Sequence, residues 1–217
     1  MSKHHRNRNW APAPQPLPED AHVIDNHTHV ASVVPFSQAM SHEAMEKGQG
    51  EVPVYSVDEL LEQAQKVGVE GVIDCGCELP NLMTAIDMAR EHPGTVHAAI
   101  AIHPNEACCT ATAAHPAPDG LPIKYKPWHD IPFDEAMAEV HRLATTYPNQ
   151  VVAIGETGMD LFRTGESAKE LQREAFRAHV ALAKELNLPM QIHDRDSHKE
   201  VIETLLADGA PRTHRVP

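Results

Sequence analysis

Residues 151–160 read VVAIGETGMD, and they set one carboxylate, Glu156, between two glycines at the end of an apolar run. Val151 to Ile154 has the look of a short buried strand. A carboxylate delivered at its open end is placed to bridge metal ions, and the flanking glycines imply close backbone approach rather than a packed surface ion pair. Two other strand-like runs end in imidazoles. His27 and His29 form a His-Thr-His after the first apolar run, and His193 closes PMQIH. On an extended strand, positions i and i+2 project to the same side, so His27 and His29 could reach one cation. Imidazoles and carboxylates without thiolates suit Zn²⁺, Mn²⁺ or Fe²⁺, and tolerate Mg²⁺ where water completes the sphere. A carboxylate shared by two cations would support metal-assisted hydrolysis, with Glu156 as the candidate catalytic group.

These donors are far apart in sequence, so the fold must bring them together. Short β-branched runs alternate with helical periodicity: HVIDNHTH, a helix at 57–67, GVIDCG, a helix at 80–91, VHAAIAIHP, a helix at 134–147, VVAIGE, a helix at 168–186, MQIH, and a helix at 198–206. Strand then helix, repeated, is the pattern of a parallel α/β sheet or barrel, in which loops after the strands open on one face. Ser56-x-x-Glu59, Ser167-x-x-Glu170 and Ser197-x-x-Glu200 read as capping boxes at three helix starts. Residues 107–130 are Pro-rich without sustained period and read as a long loop of the kind that inserts at a functional rim.

Length and composition bound the function. The 217 residues suffice for one sizeable domain, expected over 21–217, after a basic and then Pro-rich tail at 1–20 whose composition favours flexibility. A formal charge of −13 and a pI of about 5.6 argue against a broad basic groove tracking long nucleic acid. No run is apolar enough for a membrane span and the first residues lack a signal-peptide core, so the expected compartment is the cytoplasm. Cys75, Cys77, Cys108 and Cys109 lack C-x-x-C spacing and read as reduced side chains without a disulfide or metal role. Most of the sixteen histidines, His129 and His141 among them, read as surface residues.

Taken in order, the motifs resemble those of the TatD family of metal-dependent deoxyribonucleases, a branch of the metallo-hydrolase (β/α)₈ barrels. IDNHTHV resembles the family's D-x-H-x-H, AIHPNEA its G-x-H-P, VVAIGETGMD its G-E-x-G-L-D and MQIHDRDS its I-H-x-R-D-A, over a stretch from about Val23 to about Ala210. The resemblance implies an α/β barrel of the TIM type and one or two divalent ions per chain, Mg²⁺, Mn²⁺ or Zn²⁺. His27 and His29 would hold one ion, Glu156 would bridge, and His193 would hold the second. Asp25, His103, Asp160, Arg195 and Asp196 also fall on motif positions. Arg195 is the candidate phosphate-binding residue, since a guanidinium can grip a phosphate through two hydrogen bonds. His103 is either a substrate contact or a hydrogen-bonded rim residue. Asp25 either ties down the first strand end or touches a metal, while Asp160 and Asp196 would orient loops and ligands.

The implied activity is hydrolysis of DNA phosphodiester bonds, with DNA ends or short single strands as substrate and no obligate protein partner. The family's later motifs, H-C-F and E-T-D, are not found. About five of eight strands are counted, and the chain reads as truncated at its C-terminus, with His214 a possible replacement ligand. Two alternatives therefore stay open: a non-catalytic metal-binding remnant, and a hydrolase of another ester or amide on the same fold.

Overall fold

The computed structural model describes residues 16–18, 20–48, 53–109 and 124–208. The chain divides into two compact units, Met1–Val72 and Ile73–Pro217. Residues 1–15 of the expected tail, and His214, lie outside the described residues.

The first unit carries β1 (Val23–Thr28), α1 (Val30–Glu46), α2 (Val57–Lys66) and the opening residues of β2 (Val69–Gly76). Helix α2 starts as expected. Ser56 Oγ accepts the Glu59 N–H at 3.2 Å while the Glu59 carboxylate accepts the Ser56 N–H at 2.8 Å, a reciprocal capping box. Helix α1 was not anticipated. It holds Pro35 and its N-cap, His29, makes no side-chain cap bond, so neither a start signal nor a clean period announced it.

The second unit continues with α3 (Leu79–Glu91), β3 (Val96–Ile100), the short α4 (Pro104–Ala107), a 3₁₀ turn at Pro127–Asp130 and α5 (Phe133–Thr146). Then come β4 (Val151–Asp160), a 3₁₀ turn at Glu166–Ala168, α6 (Lys169–Leu186), β5 (Met190–Arg195) and α7 (His198–Asp208). Its strands lie in chain order, β2-β3-β4-β5, with β3/β4 and β4/β5 parallel. Strand β4 is buried along nearly its whole length, as a central parallel strand covered on both faces must be. On one side Met159 packs with Phe176, Val180 and Val201 from α6 and α7. On the other, Cys75, Ala99 and Ala153 form a cluster of small side chains with Ile73 and Cys77 against it. The helices bury the stripes that their periodicity marks, such as Leu82, Ala85, Ile86 and Ala89 on α3.

Two glycines set how closely β4 and β5 approach. A Cβ on Gly155 would lie 2.5 Å from Gln191 Cβ, and one on Gly158 would lie 2.1 Å from the His193 carbonyl oxygen. The pairing steps from Ile154↔Met190 to Thr157↔Ile192, three residues against two, so β4 carries one extra residue there. Glu156 sits inside that slip, which re-aims its side chain.

Two expected capping boxes are not formed as such. The N-cap of α6 is Ala168 without a side-chain cap bond, and Ser167 Oγ instead donates to Thr164 O at 3.4 Å. Ser197 Oγ donates to the Met159 carbonyl at 2.7 Å and accepts the Arg195 N–H at 3.2 Å, tying the β5–α7 turn to β4. At Ser197 the Arg195 N–H occupies the acceptor that a capping box would use, and in both cases the hydroxyl turns to a carbonyl outside the helix. No helix among the described residues is long and apolar enough to cross a membrane.

The glycine geometry makes a stability prediction. Gly158→Ala meets backbone at φ +141 and should cost about 3 kcal/mol or more. Gly94→Ala, at φ +83 with nothing within 4 Å, should cost only about 1 kcal/mol. Urea unfolding of the two variants beside the parent measures both; equal losses would contradict the close approach of β4 to β5.

Candidate metal centre

The second unit brings four of the expected residues together. His193, on β5, faces Glu156 on β4, with Nδ1 2.6 Å from Glu156 Oε1 and Nε2 3.1 Å from Asp160 Oδ2. His103, immediately before α4, lies with Nε2 3.3 Å from His193 Nδ1 and 3.9 Å from Glu156 Oε1. His103, Glu156 and His193 thus offer ligand atoms within 4.8 Å of one another. The strands carry Glu156 and His193 as neighbours because Gly158 pairs with His193 across the sheet.

Glu156 is 9% exposed, and a buried charge needs partners. His193 supplies one. Burial alone would lower its pKa, but the hydrogen bonds to Asp160 and Glu156 outweigh that and raise it to about 9. In the metal-free chain at neutral pH, His193 is therefore an imidazolium clamped between two carboxylates. The Asp160 carboxyl sits below its usual range: burial opposes this, but bonds from His193, the Arg163 N–H and Asn105 prevail. Asn105 Nδ2 donates to Asp160 Oδ2 at 3.2 Å and the Arg163 N–H donates to Asp160 Oδ1 at 2.6 Å. Gln172, on α6, accepts the Asp160 N–H at 2.6 Å and donates to its carbonyl at 3.0 Å, locking the end of β4.

His103 has the opposite electrostatics. Burial, with His193 beside it, lowers its pKa to about 4, so the ring is neutral. Its Nδ1 accepts the Asn105 N–H at 3.2 Å, which leaves the proton on Nε2, the nitrogen that faces Glu156 and His193. In that tautomer Nε2 is a donor towards Glu156 unless a cation displaces its proton. The backbone ahead of it is held by His179, a buried core histidine whose Nε2 accepts the Ile102 N–H at 3.1 Å.

The remaining expected residues are placed as follows. His27 lies on β1 and His29 just past its end, in the first unit, with ring centroids 5.2 Å apart edge to face. Asp25 Oδ1 accepts the His27 N–H at 3.2 Å, which ties down the strand end. Arg195 ends β5 with its guanidinium 4.1 Å from the centroid of the Phe162 ring, a stacking contact that limits its swing. Asp196 turns the chain from β5 towards α7 at φ 54, a left-handed conformation that Asp tolerates. His129 is not a surface residue. It is buried, and its Nε2 lies 2.6 Å from Glu106 Oε2, which also accepts the Trp128 indole N–H at 3.1 Å.

Two participants were not anticipated. Asn105 lies in the AIHPNEA segment yet was not singled out. Cys77, just past β2, puts Sγ 3.8 Å from Glu156 Oε2, and burial pushes its thiol well above the usual range. Its position at a strand's C-terminal end was the signal that could have found it.

The donor set fits a divalent cation. It combines imidazole and carboxylate with outer partners already fixed, and Asn105 Oδ1 is buried with no protein partner. The 2.6 Å between His193 Nδ1 and Glu156 Oε1 is a hydrogen bond, since two ligands of one tetrahedral ion stand roughly 3.4 Å apart. A cation would take the place of the His193 proton, with a small separation of the two side chains.

The family model described as TatD related DNase matches residues 24–216. A Mycobacterium tuberculosis protein named as an uncharacterized metal-dependent hydrolase TatD is 33% identical over 162 residues, 73% of this chain and 52% of that protein. An Erwinia tasmaniensis protein named 3'-5' ssDNA/RNA exonuclease TatD is 32% identical over 148 residues, 68% and 48% of the two chains. This chain spans about half the length of these curated relatives. Among solved structures, the Escherichia coli K12 TatD homologue YJJV aligns with a TM-score of 0.58 and 26% identity, over 88% of this chain and 57% of that one. The α/β barrel class that the motifs implied is the class of its structural neighbours, and the chain belongs to the TatD family of metal-dependent hydrolases.

Proposed function

We propose that this chain acts in metal-dependent hydrolysis of nucleic-acid phosphodiester bonds, at DNA ends or short single strands, through a centre built on Glu156 and His193. The observation that carries the reading is the convergence of Glu156, His193 and His103, with Asp160 behind them, at the ends of β3, β4 and β5. The Erwinia relative's name supports a single-stranded DNA or RNA substrate.

Glu156 and His193 would hold a cation, and His27 with His29 a first one, the latter assignment resting on the H-x-H motif and family membership. One or two ions, Mg²⁺, Mn²⁺ or Zn²⁺, would supply an acidified water and neutralise charge on the phosphate. The chain's own groups do the rest. Asp160 orients His193 through Nε2 and would keep Nδ1 turned towards Glu156. His103, neutral with its proton on Nε2, can donate to a phosphate oxygen at the edge of the site. Arg195, braced on Phe162, can bind a phosphate through two N–H groups.

Cleavage of end-labelled single-stranded DNA and RNA oligomers with added Mn²⁺ or Mg²⁺, beside calorimetric metal titration, tests this. Glu156→Gln should lower metal affinity by roughly 10–100-fold or more and abolish cleavage. Unchanged cleavage in that variant would refute the centre.

The pH dependence has a definite sign. The His193 pKa is raised above its ordinary 6.5 to about 9. Its ion pairs thus stabilise the metal-free chain fully below pH 6.5, and that contribution fades as pH rises through 9. Metal affinity should move the other way, rising by up to about tenfold per pH unit between these limits because the cation displaces a proton. Titrations at several pH values, in buffers of different ionisation enthalpy, should show about one proton released at pH 7.5; none released would count against His193 as a ligand.

Asp160→Asn should keep the fold but weaken metal binding by about tenfold, as loss of a carboxylate that orients a ligating histidine does. Metal titration alongside a thermal melt separates this from simple unfolding.

A further inference from the structure

Three residues beyond His103, Glu106 lines a cavity of about 400 Å³ that the metal centre does not use. The first turns of α3 (Leu79), α5 (Phe133, Ala136) and α6 (Leu171) form its walls, with α4 and the 3₁₀ turn at Pro127–Asp130. Each of those three helices follows a strand, so the cavity lies at the same end of the sheet as Glu156 and His193. Ile131 and Leu171, in its lining, are 43% and 42% exposed. Apolar walls around a few placed polar groups are what a small-molecule pocket needs. Those polar groups meet on one atom. Glu106 Oε2 accepts the Trp128 indole N–H at 3.1 Å and lies 2.6 Å from His129 Nε2. His129 Nδ1 accepts the Lys126 N–H at 2.9 Å, so the ring proton is on Nε2 and is donated to Glu106. Glu106 Oε1 bonds to none of the described residues. The Trp128 ring is braced a second time by Lys126, whose Nζ lies 4.8 Å from the ring centroid and pairs with Glu78 at 2.6 Å. The cavity therefore sets a fixed aromatic ring beside one open carboxylate oxygen.

That pairing of groups selects a class of ligand. An aromatic side chain suits a nucleobase, since every base has a π-face to lay against it. An open carboxylate oxygen accepts the amino group that cytosine, adenine and guanine carry. Thymine and uracil offer a single ring N–H between two carbonyl oxygens, which a carboxylate repels. We propose that this cavity is a nucleobase subsite, in which Trp128 packs against the base and Glu106 favours cytosine, adenine and guanine over thymine and uracil. The proposal rests on the nucleic-acid reading of the neighbouring centre, whose His103 opens the short helix that carries Glu106. A base seated here would place its nucleotide beside the metal donors, so base preference and cleavage would be linked through α4. A site that hydrogen-bonds a substrate group discriminates against the analogue lacking it, because the buried acceptor is then left unpaired.

Deoxynucleosides carry no phosphate, so their binding reports on the cavity without metal or cleavage. The test titrates deoxycytidine and thymidine into the full chain bearing Trp10→Phe, which leaves Trp128 as its one tryptophan, and follows the fluorescence. The expected result is saturable quenching, with deoxycytidine bound about tenfold more tightly than thymidine. Glu106→Gln keeps an oxygen for His129 and Trp128 but puts an amide N–H₂ in place of the open oxygen, and should erase or reverse that ratio. With Mn²⁺ added, the parent should cleave oligo-dC with a kcat/KM about tenfold above that for oligo-dT. No quenching, equal binding of the two nucleosides, or a ratio that Glu106→Gln leaves unchanged would overturn the subsite, and cleavage that persists alongside would leave the metal centre standing. Discrimination between the nucleosides without metal-dependent cleavage of any oligomer would keep the subsite and remove the nuclease reading. Should Glu106→Gln fail to fold, the nucleoside ratio in the parent decides the question.

Discussion

A carboxylate that is nearly buried must be compensated, and in this chain that requirement falls on Glu156. The desolvation penalty of an isolated buried charge is several kcal/mol or more, which no packing around it can offset unaided. The fold answers with a second charge, His193, itself held from behind by Asp160. Everything nearby serves that arrangement. The glycines let β4 and β5 approach, the extra residue in β4 swings Glu156 out of register, and Ser197 pins the turn after His193 to Met159. A divalent cation would answer the same requirement with a larger positive charge than the imidazolium.

The support around the pair is stiff because it is built from side chains buried and bonded on several sides. Asp160 is held by Asn105 and by the Arg163 amide, and its backbone by Gln172. His179 holds the backbone before His103 from within the core. Such outer contacts fix ligand orientation and ring tautomer, and they distinguish a site from a chance cluster of exposed acids. They also separate the roles of the two imidazoles. His193, flanked by carboxylates, is held in its positive form, whereas His103, whose Nδ1 is occupied by a backbone amide, is a neutral donor.

Much of this was legible in the sequence, for physical reasons that can be stated. Parallel strands buried on both faces produce apolar runs such as VVAIG, and their C-terminal ends share one side of the sheet, so Glu156 and His193 could be nominated before any geometry was known. Glycine signals backbone contact wherever a Cβ has no room, which is why Gly155 and Gly158 pointed to a close approach. Other features depend on tertiary competition that a local pattern does not carry. Ser197 has the sequence of a capping box, but its hydroxyl bonds the Met159 carbonyl and the Arg195 N–H instead. Pro35 hid a 17-residue helix because it breaks the period without ending the element. His129 looked like a surface residue until Glu106, one helix away, was seen to hold it.

The most direct measurement of the central claim is a crystal structure of the chain grown with Mn²⁺ or Zn²⁺, with anomalous scattering recorded at the metal's absorption edge. The account predicts an anomalous peak about 2.0–2.3 Å from a Glu156 carboxylate oxygen and from His193 Nδ1, with those two atoms moved apart to roughly 3.4 Å. A peak located elsewhere, or an intact Glu156–His193 contact at 2.6 Å in the presence of saturating metal, would contradict it.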